Sequence, residues 1–263
     1  MKQICADLKA EYDALDAIVS TLDTAGWATK TYCDDWTIQE EIAHLAFFDG
    51  TARLSATDPE AFEAHKKAFS SGDAEEHGRM TRFQTMDPLG LLAEWREIRA
   101  GELEAFARHD PKDRLPWYGP TMSAKSKATA RLMETWAHGQ DVVDVTGAAR
   151  PTTDRIKHVA HIGVITFGWA FTIRDMEVPT TPVHVALNGP SGDRWTWGPE
   201  DAADSVKGNA DEFCLVATQR RHHEDTNLVI TGETANSWIL IAQAFAGGPD
   251  KHPAPGTFPK PSA

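Results

Sequence analysis

The stretch RLMETWAHGQDVVDV, residues 131–145, decides how the chain is read. It reads as helix, and it places Glu134 and His138 four residues apart, so both side chains leave one face about a turn from each other. Asp141 follows three residues after His138, near the same stripe. A carboxylate and an imidazole at this spacing can share a divalent metal ion, but many helices carry E-x-x-x-H by chance. The pair gains meaning only if the rest of the chain supplies a third donor and a scaffold to present it.

Composition limits the alternatives. The 263 residues are ample for two domains. The formal net charge of -13 argues against a sequence-independent nucleic-acid binder, which needs a basic footprint. No run of 18 apolar residues predicts a membrane span, and the charged N-terminus MKQICADLKAEYDAL lacks the apolar centre of a signal peptide. A cytoplasmic location is therefore expected, with no nucleic-acid or membrane partner; the expected oligomeric state is a monomer or a homodimer. Cys5, Cys33 and Cys214 are far apart and form no C-x-x-C knuckle, so a metal would fall to histidines and carboxylates.

Outward from the opening stretch, amphipathic segments fill the first 175 residues. Ile4, Leu8, Tyr12, Leu15, Ile18 and Leu22 recur at helical spacing over 2–25. Thr37 and Glu40 form a capping box that opens a second helix over 38–56, with His44 among apolar neighbours. Pro59 after Asp58 starts another segment. The polar SSGDAEEHG after it reads as a surface loop or hinge. Asp87 and Pro88 open a helix to 109, and residues 110–128 read as a proline-rich loop carrying Trp117 and Tyr118, candidate walls of a pocket mouth. The opening stretch lies in a helix over about 124–147 that ends at Gly147. A further helix over 152–175 is expected, capped by Asp154.

After residue 178 the texture changes. VHVALNGPSGDRWTWG reads as a β-hairpin, 211–221 as a short helix, LVITG as a strand and 235–247 as a helix. The expectation is an α + (α+β) chain: a four-helix bundle in 1–176, a small α+β domain in 177–250, and a poorly ordered proline-rich tail in 251–263. In a bundle, His44 on the second long helix can meet Glu134 and His138 on the fourth. Two imidazoles and one carboxylate leave a coordination position open, as a catalytic ion requires.

DDWTIQEEIAHLAFFD (34–49) and METWAHGQDVVDVTG (133–147) resemble the DinB-like superfamily, in particular its mycothiol-dependent maleylpyruvate isomerase type. The resemblance rests on Trp36, Thr37, His44 and Leu45, and on Glu134, His138, Asp141 and Gly147. The segment from Val206 to Pro249 looks like that family's small C-terminal domain. The resemblance implies metal ligation by His44, Glu134 and His138, with zinc most suited and nickel, iron or cobalt also accepted by such a donor set. It implies a low-molecular-weight thiol such as mycothiol as cosubstrate, activated for isomerisation or S-transfer on a small organic substrate. It also implies a substrate-binding arginine in the C-terminal domain, for which Arg220 and Arg221 are the nearest matches. Asp141 is a candidate to hydrogen-bond a metal-binding histidine from behind.

Two other functions compete: a thiol-independent lyase, cyclase or hydrolase using the ion as Lewis acid, and a non-catalytic metal-dependent binding protein. Among other residues, His158 and His161 read as packed or solvated. His222–His223–Glu224–Asp225 reads as a polar loop whose neighbours do not converge easily, and Cys33 as a small packed residue near the site.

Overall fold

A computed structural model describes residues 1–261, without the side chains of 75–77. The chain divides into two compact units, residues 1–150 and 151–263. The first holds helices α1 (Lys2–Val19), α2 (Thr24–Trp27), α3 (Ile38–Thr57), α4 (Pro59–Ser70), α5 (Ala74–Thr85) and α6 (Pro88–Ala107). The short antiparallel pair β1 (Arg114–Leu115) and β2 (Met122–Ser123) then leads into α7 (Ala124–Thr146). The four long helices close a ring: α1 packs on α6 and α7, and α3 packs on the same two. Leu8, Leu15, Ile42, Leu45, Trp95, Phe106 and Leu132 fill its centre, all fully buried.

The caps behave as the sequence predicts. Thr37 accepts from Glu40 N while the Glu40 carboxylate accepts from Thr37 N, the reciprocal capping box. Gly147 takes φ 66°, the left-handed conformation that closes α7 at little cost for a residue without a Cβ. Residues 74–78, expected in a loop, lie instead in α5, and the connection is only 71–73. α1 stops at Val19 rather than near residue 25, and Asp23 caps the separate turn α2.

The second unit holds α8 (Ile156–Ile165), α9 (Phe167–Thr172), β3 (Val183–Asn188), β4 (Arg194–Trp197), β5 (Asp204–Asn209), α10 (Ala210–Ala217), β6 (Val229–Thr231) and α11 (Glu233–Ile239). The sheet order is β4-β3-β5-β6; β3 and β5 are parallel and the other pairs antiparallel. The expected hairpin is β3–β4. The central strand β5 was not foreseen, because DSVKGN offers one large apolar residue and a glycine rather than an alternating run.

Four expectations change here. The boundary falls after Arg150, not at 176, because α8 packs on α10 and α9 on α11. The helix over 152–175 is broken at Thr166, whose hydroxyl bonds back to Ile162 O and Gly163 O. Its start is not capped by Asp154, which accepts from Ser191 N instead. The tail, as far as residue 261, is fixed by hydrogen bonds. The Asp225 carboxylate accepts from Gly256 N and Phe258 N, and Asn227 donates to Pro261 O. Its last two residues lie outside the described ones.

One buried group of the bundle has a measurable consequence. The Lys127 amine is 1% exposed, donates to Ser55 Oγ at 2.5 Å and to Pro116 O, and sits 4.5 Å over the Trp117 ring. Burial pushes its pKa down from 10.5 to about 7, with Glu102 acting weakly the other way. Between these values the unfolded chain binds the proton and the folded chain does not. The resulting cost is therefore full below about pH 7 and fades as pH rises toward 10.5. Lys127→Met is expected to be the more stable protein at pH 6 by ~1–3 kcal/mol. Denaturant titrations at pH 6 and pH 9.5 should show this advantage shrinking; an advantage that grows with pH would contradict the assignment.

Candidate metal centre

The capping box sets the phase of α3, so Glu41, His44 and Phe48 follow at intervals of three and four on one face. On α7, Arg131, Glu134, His138 and Asp141 follow at three, four and three. The two faces meet in three rungs of opposite character. His138 Nδ1 lies 2.6 Å from Glu41 Oε2, His44 Nε2 lies 3.4 Å from Glu134 Oε2, and Arg131 Nε donates to Asp49 Oδ1 at 2.7 Å. The outer rungs are closed: Glu41 and Asp49 are fully buried, and Trp95 Nε1 also donates to Asp49. The middle rung is open, with the His44 and Glu134 side chains 20% and 22% exposed.

His138 joins two rungs, since its Nε2 also lies 3.4 Å from Glu134 Oε2. One ligand atom from each of His44, Glu134 and His138 lies within 4.8 Å of the others. The sequence-predicted triad is therefore brought together. Trp36 stacks on His138 with the planes 7° apart and also meets His44, and the Phe48 ring centre lies 4.7 Å from that of His44. Asp141, expected behind a metal-binding histidine, is 3.7 Å from His138 Nδ1, beyond hydrogen-bond length; Glu41 holds that position. The signal for Glu41 was its place three residues before His44.

The electrostatics suit a cation. Burial, then the neighbouring His138, lowers the His44 pKa to about 4, so its imidazole is neutral at pH 7. Burial opposes ionisation of Glu134, yet hydrogen bonds from His138 and His44 hold its carboxyl well below the usual range. Protonated at both nitrogens, His138 donates to Glu41 and to Glu134; in the neutral ring whose proton stays on Nδ1 toward Glu41, the Nε2 lone pair is free for a cation on the Glu134 side. Donors bonded at 2.0–2.2 Å to a tetrahedral zinc ion stand about 3.3–3.6 Å apart. The two edges that meet at Glu134 Oε2, each 3.4 Å, fall within that span.

Other candidates are placed as follows. Cys33 contributes a ligand-type atom within 4.8 Å of those of Glu41, His138 and Asp141, a second group that shares His138 with the triad. Trp117 stacks on Phe62, and Tyr118 Oη lies 2.6 Å from His65 Nε2; both rings contact Phe48, which links them to His44. In the second unit, Arg220 donates to Thr218 O, and Arg221 donates to Arg220 O and covers the Phe258 ring. His161 accepts from Trp197 Nε1. Contrary to expectation, donor atoms of His222, His223 and Glu224 do converge within 4.8 Å, because a 3-10 turn over His223–Asp225 folds them together. His222 Nδ1 is committed there to capping Glu224 N.

Residues 8–143 match the family model described as the mycothiol maleylpyruvate isomerase N-terminal domain, and residues 179–231 match the one described as wyosine base formation. Two uncharacterised proteins from strains of Mycobacterium tuberculosis are 43% identical over 247 residues, which cover 94% of this chain and 96% of theirs. Among solved structures, the chain is similar to a histidine-to-alanine variant of mycothiol-dependent maleylpyruvate isomerase. The TM-score is 0.58 at 16% identity, covering 89% of this chain and 93% of that one. The unsubstituted isomerase gives a TM-score of 0.56 at 16% identity, covering 83% and 89%. At this identity the likeness is one of fold.

In metal-free protein, the His44 ring is expected to titrate near pH 4 by NMR. In Glu134→Gln its midpoint should fall further, since the Glu134 hydrogen bond and charge raise it. A midpoint near 6.5 in the parent would contradict the buried site.

Proposed function

The chain belongs to the mycothiol maleylpyruvate isomerase N-terminal domain family, and from that premise we propose that it is a divalent-metal-dependent enzyme acting on a small organic substrate with a low-molecular-weight thiol, mycothiol or a relative, as cosubstrate. His44, Glu134 and His138 hold the ion, with zinc suited to two imidazoles and a carboxylate. The observation that carries this reading is the pair of 3.4 Å edges from Glu134 Oε2 to two imidazole nitrogens. Without an ion, a proton on an imidazole nitrogen holds each of these contacts; a divalent ion would take the place of those protons among the same three donors.

A divalent ion there lowers the pKa of a thiol that reaches its open side and favours the thiolate. The protein's own residues prepare that event. His44 arrives neutral, so no proton must leave it at pH 7. Glu134 carries one negative charge, leaving the triad and ion with one net positive charge to attract an anionic sulfur. Trp36 and Phe48 flank His44 with apolar surface that limits water on those sides, while the exposure of His44 and Glu134 keeps one approach open. The reaction supported is isomerisation by addition of the thiol and its later loss, or S-transfer, in which the thiol sulfur stays bonded to the substrate carbon.

Metal analysis of the purified protein should give about one divalent ion per chain. His44→Ala and Glu134→Ala should each lose most of it while keeping the helical circular dichroism of the parent. Calorimetric titration of the zinc-loaded parent with mycothiol should show saturable binding that His44→Ala abolishes. Unchanged metal content in both variants would refute the triad. Metal loss without mycothiol binding at millimolar concentration would refute the thiol part and favour direct Lewis-acid chemistry on the substrate.

A further inference from the structure

We propose that Glu41 is a positioning residue for this centre: it holds the His138 proton on Nδ1 and so aims the Nε2 lone pair at the space shared with His44 and Glu134. The inference rests on the metal reading above and assigns a function to a residue outside the triad. His138 has two ring nitrogens, and only one tautomer offers Nε2 to an ion. A carboxylate accepts, so the 2.6 Å contact between His138 Nδ1 and Glu41 Oε2 places the ring proton on Nδ1. Asp141, 3.7 Å from the same nitrogen, adds negative charge but does not fix the tautomer.

Glu41 is itself held. It is fully buried, and its second oxygen accepts from Thr31 Oγ1 at 2.5 Å. Thr31 is fixed by the loop that precedes α3. Its amide donates to Trp36 O at 2.6 Å, its hydroxyl oxygen accepts from Cys33 N, and Lys30 bridges Thr37. The reversal between Cys33 and Trp36 passes through Asp34 and Asp35 at φ 50° and 59°, a left-handed turn that aspartate tolerates better than most residues. The same loop ends in Trp36, whose ring lies parallel to that of His138 and opposes its rotation. One loop thus fixes His138 twice, through Thr31 and Glu41 at its edge and through Trp36 on its face. A carboxylate behind a metal-binding histidine also raises the basicity of the ring, and removing such a partner costs about 10–100-fold in metal affinity.

The test compares Glu41→Gln, Asp141→Asn and Thr31→Val in the full chain, by zinc affinity in chelator competition and by the 15N signals of His138 in metal-free protein. The parent should show His138 protonated at Nδ1. Glu41→Gln should bind zinc about 10–100-fold more weakly and lose that signature, while Asp141→Asn stays within about threefold and keeps it. If Glu41→Gln does not fold, Thr31→Val decides, with an expected loss of about 3–10-fold. Glu41→Gln with parental affinity and an unchanged tautomer would overturn the proposal, as would a larger loss in Asp141→Asn than in Glu41→Gln. A parent that binds no zinc yet shows the Nδ1 proton disappearing in Glu41→Gln would refute the metal reading alone. The tautomer signal therefore separates the two failures.

Discussion

Two antiparallel helices that bury charge against each other must bury it in pairs, and this requirement organises the first unit. Along α3 the ionisable residues that meet α7 in ion-pair rungs are Glu41, His44 and Asp49, opposite His138, Glu134 and Arg131; beyond them the Lys127 amine of α7 meets the Ser55 hydroxyl of α3. Each acid meets a nitrogen base, and the donor changes helix from rung to rung. A buried carboxylate without a partner costs several kcal/mol, so a slip of either helix would leave two or three charges unpaired. Burial of apolar surface drives the bundle together; the rungs choose its register.

That register leaves the middle rung different from its neighbours. The Asp49–Arg131 rung is completed by Trp95, and nearby, burial together with the Asp49 charge pushes Glu102 well above the usual carboxylate range while Tyr12 donates to it. The Glu41 rung is completed by Thr31. Between them, Glu134 faces two imidazoles and has some solvent exposure. The closed rungs supply rigidity, and the open one brings together, on its exposed side, the two imidazoles and the carboxylate proposed to hold the ion. Family membership places this arrangement among thiol-using isomerases by name, while the 16% identity to the solved members leaves the substrate to be found by chemistry.

Much of this was legible in the sequence because it depended on local rules. The Thr37–Glu40 box, Pro88 after Asp87 and Gly147 gave the ends of the long helices, and helical spacing gave the pairing of Glu134 with His138. His44 became readable only once four long helices implied a bundle. What escaped depended on contacts between distant segments. Glu41 looked like one more acid of a helix's first turn, and nothing local says that Thr31 returns to meet it. β5 was hidden because a central strand covered by neighbours needs no alternating pattern. Residues 74–78 looked like loop because their polarity masked a helix held by packing on α3. The 151–176 helices were grouped with the bundle because adjacency in sequence was the only guide to their partners.

The central claim is that two imidazoles and one carboxylate, from His44, His138 and Glu134, hold a divalent ion. X-ray absorption at the metal edge of the zinc-loaded protein measures that donor set directly. The account predicts a low-coordinate shell of nitrogen and oxygen at about 2.0–2.1 Å, with the outer-shell scattering of two imidazoles. A sulfur contribution near 2.3 Å in protein free of added thiol, which would place Cys33 on the ion, or an all-oxygen shell without imidazole scattering, would contradict it.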